Sequence, residues 1–163
     1  MLPLSLATLV CLLYLGWLDL RTRLLPNKWV LFYTLLFIPA SVLHQCGWLQ
    51  LGAHVAMGLI AFLVLLLLFI INAMGGGDVK LGAAVFLWAG VDYGLQALLI
   101  TAWLGGVVAI LGWLADRPAL QRLHWRPLQA INHALSAQRG VPYGVALVAA
   151  ALYVLWRYVQ PSL

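Results

Sequence analysis

The chain has 163 residues, of which 65% are hydrophobic and 8% charged, and its mean hydropathy is +1.02. A soluble globular domain carries about 25% charged residues. The composition therefore excludes a soluble enzyme domain and indicates a polytopic, all-α membrane protein. Nine Lys and Arg against four acids would suggest a nucleic-acid partner in a soluble protein. Here the excess reads as membrane topology, with lipid as the surroundings and no nucleic acid expected. Cys11 and Cys46 form no CxxC pair, so neither a disulfide framework nor a zinc knuckle is indicated.

The first apolar run is Met1 to Leu18, long enough for one span at about 1.5 Å per residue. It lacks a basic n-region and a small-residue cleavage site, so it reads as a retained helix. A polar turn follows over 19–28, holding Asp19, Arg21, Arg23, Pro26, Asn27 and Lys28. Trp29 to Leu43 is a short second span with Pro39 inside it, and 44–52 is an uncharged loop. The third span runs from about Ala53 to Ala73. Gly75-Gly76-Gly77-Asp78-Val79-Lys80 comes next, followed by a short fourth span to Gly90. Val91 to Gly94 is a tight loop, and Leu95 to Ala115 is the fifth span, in which Gly105-Gly106 would allow close helix contact. Residues 116–140 are the one sizeable polar stretch, and Val141 to Trp156 is the sixth span.

Charge decides the sides. The loops after spans one, three and five hold Arg21, Arg23, Lys28, Lys80, Arg117, Arg122, Arg126 and Arg139, and the opposite side holds Arg157. Eight against one predicts that 19–28, 74–80 and 116–140 are cytoplasmic and that both termini are outside. Leu120, Leu123, Leu128, Ile131 and Leu135 recur at roughly helical spacing in the last of these. It is either a basic surface helix or a solvated loop.

The four acids are Asp19, Asp78, Asp92 and Asp116. Two crossings separate Asp19 from Asp78, so both fall on one face, whereas Asp92 falls on the other. Two carboxylates held together can share a proton, so that the ionised one activates a water and the protonated one donates to a carbonyl oxygen. This aspartic-protease chemistry needs no metal and no cofactor. The glycines Gly75, Gly76 and Gly77 would let a substrate strand lie close to Asp78. Bland readings stand beside these: Asp78 caps a helix N-terminus, and Asp19 pairs with Arg21 or Arg23. A small proton-coupled carrier using Asp19 and Asp78 as a relay is the non-enzyme alternative. No serine lies in a GxS context, and the histidines lack HExxH spacing.

Three segments carry a family resemblance. Asp19 to Asn27, with its acid, basic residues and Leu-Pro-Asn, resembles the first aspartate motif of type IV prepilin peptidases. Gly75-Gly76-Gly77-Asp78-Val79-Lys80-Leu81 looks like their GxGD motif, and Val141-Pro142-Tyr143-Gly144 is similar to the segment that opens their last helix. The resemblance implies one transmembrane peptidase domain over 1–163, in the inner membrane. It would trim the leader of prepilins or pseudopilins at the cytoplasmic face. It implies Asp19 and Asp78 as the catalytic pair, with Gly75, Gly76, Gly77, Lys80, Arg21, Pro26, Asn27, Pro142, Tyr143 and Gly144 as substrate-binding or motif-supporting residues. The cysteine-rich insert of larger members is missing, so the chain looks like a small, peptidase-only form, of the kind found with Flp or Tad-type pili and archaeal-type filaments. Among the motif residues, Pro26 and Asn27 read as the start of the second helix, and Arg23 and Lys28 as contacts for lipid phosphates. The role of Lys80 stays open.

Overall fold

A computed structural model describes residues 2–115 and 143–160. The stretch 116–140, with Arg122 and Arg126, and also Pro142 and Asp116, lies outside the described residues. Those described are helical with short connections, and no strand occurs among them. The helices are α1 (Leu2–Thr22), α2 (Asn27–Leu35), α3 (Phe37–Leu43), α4 (Trp48–Ile70), α5 (Gly76–Ala115) and α6 (Tyr143–Val159). Leu2–Thr22, Trp48–Ile70 and Gly76–Leu114 are long and apolar enough to cross a membrane. Large apolar side chains such as Leu63, Leu67, Trp103 and Ile110 are exposed along α4 and α5. Apolar surface on this scale marks a membrane protein.

α2 and α3 make one bent rod. Pro39 has no N–H to give the Leu35 carbonyl, and its ring crowds that group. The break falls one residue later, at Leu36, which still bonds back to Phe32 and accepts from Ala40. α4 begins earlier than the apolar pattern predicts. Its start is set by a cap, with Gln50 Oε1 accepting the Gly47 N–H at 3.1 Å. That cap draws Trp48 to Gly52, expected as loop, into the helix.

Besides α1, which ends at Arg23, two helices end on non-glycine residues in the left-handed conformation. After α3, Gln45 has φ 53°, and the N–H groups of Gln45 and Cys46 bond to Val42 and Ser41. After α4, Asn72 has φ 59°, and the N–H groups of Asn72 and Ala73 bond to Phe69 and Leu68. Both are Schellman closures, which satisfy the last carbonyls without water.

α5 is two helical arms. At Gly90 the backbone takes φ 57° and ψ −158°, and the chain folds back. Tyr93 meets Tyr158 near one end of α6, while Gly105 comes against Tyr143 at the other. The arms, 76–89 and 91–115, are therefore antiparallel, as the predicted fourth and fifth spans require. A side chain at residue 90 would enter the His54 ring. That ring is fixed by a 2.8 Å hydrogen bond between its Nδ1 and the Leu87 carbonyl.

α5 packs against both α4 and α6, and α1 lies against α6. On α4 the buried seam is His54 and Gly58, with Ala61 packed beside it. Small residues there let the backbones approach: a Cβ on Gly58 would sit 3.3 Å from the Ala83 carbonyl. The core joins Leu12 and Leu15 of α1, Tyr33 of α2, Leu81, Val85 and Trp88 of α5, and Leu147 and Val154 of α6.

Candidate functional site

Asp19 lies in the last turn of α1 and is 3% exposed. Its surroundings come from the far end of the sequence. The Val145 N–H donates to Asp19 Oδ2 at 3.0 Å. Val145 is in the first turn of α6, where backbone N–H groups have no helical partner and the helix dipole is positive. Gly144 makes the approach possible, because a Cβ there would stand 2.6 Å from Asp19 Cγ. A buried carboxylate is costly unless hydrogen-bonded. The start of α6 supplies the bond, and Gly144 removes the obstruction.

Asp78 sits in the first turn of α5 and is half-buried. Its carboxylate accepts from the Gly75 backbone N–H. That is half of a capping box, made by the third helical residue reaching back to the cap. The capping reading of Asp78 thus holds, and it does not compete with the pairing. The Asp19 and Asp78 carboxylates are near enough to repel one another. Arg23 attracts both.

Arg23 is where the structure departs most from expectation. It does not simply face lipid; it is the cation that both acids feel. Its backbone has φ 55°, and its N–H bonds to the Asp19 carbonyl at 3.1 Å, which ends α1 one turn after the acid. A non-glycine residue in this conformation costs about 1–2 kcal/mol. The reversal sends the chain back across the start of α5. Arg21 is turned elsewhere: its guanidinium lies 5.0 Å from the centre of the Trp17 ring.

The triglycine acts through space, not through unusual backbone angles. Gly76 and Gly77 are already helical. A Cβ on Gly77 would meet Leu25 Cβ at 3.0 Å, and one on Gly76 would meet the Phe69 ring at 3.3 Å. Leu25, which sequence reasoning did not single out, thus rests on the turn before Asp78. One residue beyond Pro26, Asn27 begins α2, as expected, and its Oδ1 accepts from Lys80 Nζ at 3.0 Å. The segment after α1 is therefore fastened to the first turn of α5 on two sides of Asp78, by Leu25 on Gly77 and by Asn27 with Lys80. Tyr143 packs on Gly105, 3.5 Å from where its Cβ would be, whereas no described residue lies within 4 Å of that position on Gly106.

The structure thus brings Asp19, Asp78, Gly75, Gly77 and Gly144 together, with Tyr143, Asn27 and Lys80 at the edges. It does not bring Arg21. Asp92 lies just past Gly90, beside Tyr158, at the opposite end of α6 from Gly144. Besides Leu25, the role of Arg23 beside the acids and the Val145 N–H were missed from sequence. The Pro-Tyr-Gly sequence, a helix-start signal, implied free amides in the turn that follows and so pointed to the second. No group of three or more metal-ligating side chains occurs among the described residues.

No curated protein and no solved structure matches the chain. The sequence profile of the type IV leader peptidase family matches residues 6–110. That stretch contains α1 with Asp19 and the turn with Asp78, and it stops short of α6. With the profile covering well over half of its length and both Asp19 and Asp78, this chain belongs to the type IV leader peptidase family.

Proposed function

We propose that the protein is an aspartic endopeptidase of the inner membrane. It removes the leader peptide of type IV-like prepilins or pseudopilins at the cytoplasmic face. One observation carries the reading: the turn that holds Asp78 is fastened, by Leu25 on Gly77 and by Asn27 with Lys80, to the segment that follows the buried Asp19, which lies 59 residues earlier in the chain. The spacing of the two acids in sequence gives no local reason for the meeting. A fold that sets two like charges together favours one shared proton over two ionised groups, and Arg23 is a cation that both acids feel.

In the proposed reaction the ionised member takes a proton from water, and the resulting hydroxide attacks the scissile carbonyl carbon. The protonated member donates to the carbonyl oxygen, giving a neutral tetrahedral intermediate. Collapse breaks the C–N bond: the departing amine takes up the proton first removed from water, and the re-forming carbonyl returns its hydroxyl proton to the second carboxylate. The first turns of α5 and α6 point free amides at the pair and favour negative charge there. Arg23 does the same from the end of α1.

The charge distribution supports six crossings with the acid end inside. Arg21, Arg23, Lys28 and Lys80 cluster there, and Arg157 falls at the other end of α6. Both acids sit in terminal turns of their helices, which favours a protease at the membrane surface over a carrier with acids near mid-membrane. The chain has no cysteine cluster, and we assign it no methyl transfer.

The test is direct. The purified protein in bacterial lipid is incubated with a candidate prepilin and S-adenosylmethionine, and the product is weighed. A shortened pilin without added methyl mass is expected. An intact prepilin with all substrates tried, alongside acid-dependent proton flux in sealed vesicles, would assign the pair to transport.

A further inference from the structure

A groove of about 540 Å³ lies between α2, α4 and the first arm of α5. It shares only Asn27 and Lys80 with the edge of the acid site. Its lining residues on α5 are Lys80, Ala83, Ala84 and Leu87. At about 100° per residue these share a face turned roughly 180° from Asp78. Gly58, Ala83 and Ala84 make a hollow floor because none has a side chain long enough to fill it. The rim residues Leu31, Val55 and Leu59 are exposed, so the groove opens sideways onto the apolar surface of the protein. Thr34, the hydroxyl of the lining among the described residues, donates internally to the Val30 carbonyl at 2.8 Å.

One end differs from the rest. Lys80 and Asn27 close it, and Lys80 is the charged residue of the lining among the described residues. Of three ammonium donors, one goes to Asn27 Oδ1. The others are available at an exposed position, and the exposed Lys28 follows Asn27 in the chain. From Lys80 to Leu87 the groove runs about 10 Å along the helix. A long apolar slot with one positive end, open towards lipid, matches an amphiphile with an anionic head. Basic pockets between helices at the cytoplasmic side hold such lipids.

We propose that this groove binds an anionic phospholipid, one acyl chain lying in the slot and the phosphate on Lys80. The apolar helix of a substrate fits less well, since the slot faces away from the acids. The inference does not depend on the peptidase reading, because binding is measured without cleavage.

Native mass spectrometry of the detergent-purified protein, titrated with phosphatidylglycerol or phosphatidylcholine, tests it. Phosphatidylglycerol should bind about fivefold more tightly, the effect of one cation near the headgroup. Lys80→Gln should remove that preference and Lys80→Arg should keep it. Filling the slot with Ala83→Leu, or from the other wall with Thr34→Leu, should lower retention of both lipids. Equal binding of the two lipids by the unaltered protein would overturn the proposal. So would retention unaffected by Lys80→Gln and by whichever filling variants fold, as judged by circular dichroism. Loss of prepilin binding in the filled variants with lipid retention intact would give the groove to the substrate instead.

Discussion

The two ends of the bundle are built on different principles. At the far end, aromatic rings are packed into one another. Tyr33 stacks on Trp88 with centroids 5.5 Å apart, Phe37 and Tyr158 meet the same indole edge-on, and Trp88 Nε1 donates to the Tyr33 carbonyl at 3.2 Å. At the acid end, backbone comes close to side chain. Gly144 lies under Asp19, Gly77 lies under Leu25, and charges are met by amides and Arg23. Volume holds the first end together. The absence of volume permits the second. One region can therefore lose stability while its chemistry survives, and the other can lose chemistry while the fold survives.

That contrast can be broken from either side. The largest effect is expected from Gly144→Ala. Its methyl would displace the Asp19 carboxylate, and a shift of about 1 Å costs on the order of 100-fold in rate. Cleavage should fall at least that far while the melting temperature changes little. A large drop in melting temperature with activity per folded molecule intact would mean that Gly144 serves packing alone. The converse substitution is Trp88→Ala. It should destabilise by about 3–5 kcal/mol, seen as a lower melting temperature. The residual folded protein should retain its turnover at low temperature.

Much of this was legible in the sequence, and the reasons differ by element. Asp19 and Asp78 could be matched because alternating crossings put them on one face. The reversal could be placed near Gly90 because Val91-Asp92-Tyr93-Gly94 interrupts the apolar pattern, although the break falls on Gly90 itself and 91–94 already belong to the second arm. Gly144 could be flagged by motif, but its job depends on Asp19, which is 125 positions earlier. Arg23 was legible only as part of a basic turn. Its left-handed backbone, which ends α1 and turns its charge to the acids, has no compositional signature in a residue other than glycine. The start of α4 was missed because Trp48 to Gly52 lacks a strong apolar period, and a side-chain cap decided it.

Smaller effects sharpen the comparison. Asn27→Ala removes the Lys80 bond at the acid end. An exposed hydrogen bond is worth about 1 kcal/mol, so activity should fall by about fivefold or less, with stability nearly constant. A complete loss of activity would move Asn27 from fastening to direct substrate contact. Asp92→Asn, beside the aromatic end, should leave cleavage unchanged when assayed on the same prepilin. A tenfold loss there would contradict the separation of the two ends.

The most direct measurement is cleavage by Asp19→Asn, Asp78→Asn and the double variant, each inserted and folded in lipid, across pH. The unaltered protein should give a bell-shaped profile whose two apparent pKa values belong to the pair. Each single variant should lose about 1,000-fold or more, and the double variant no more than either single one, because the two groups act as a unit. Near-normal trimming by Asp19→Asn, or losses that multiply in the double variant, would contradict a shared catalytic pair.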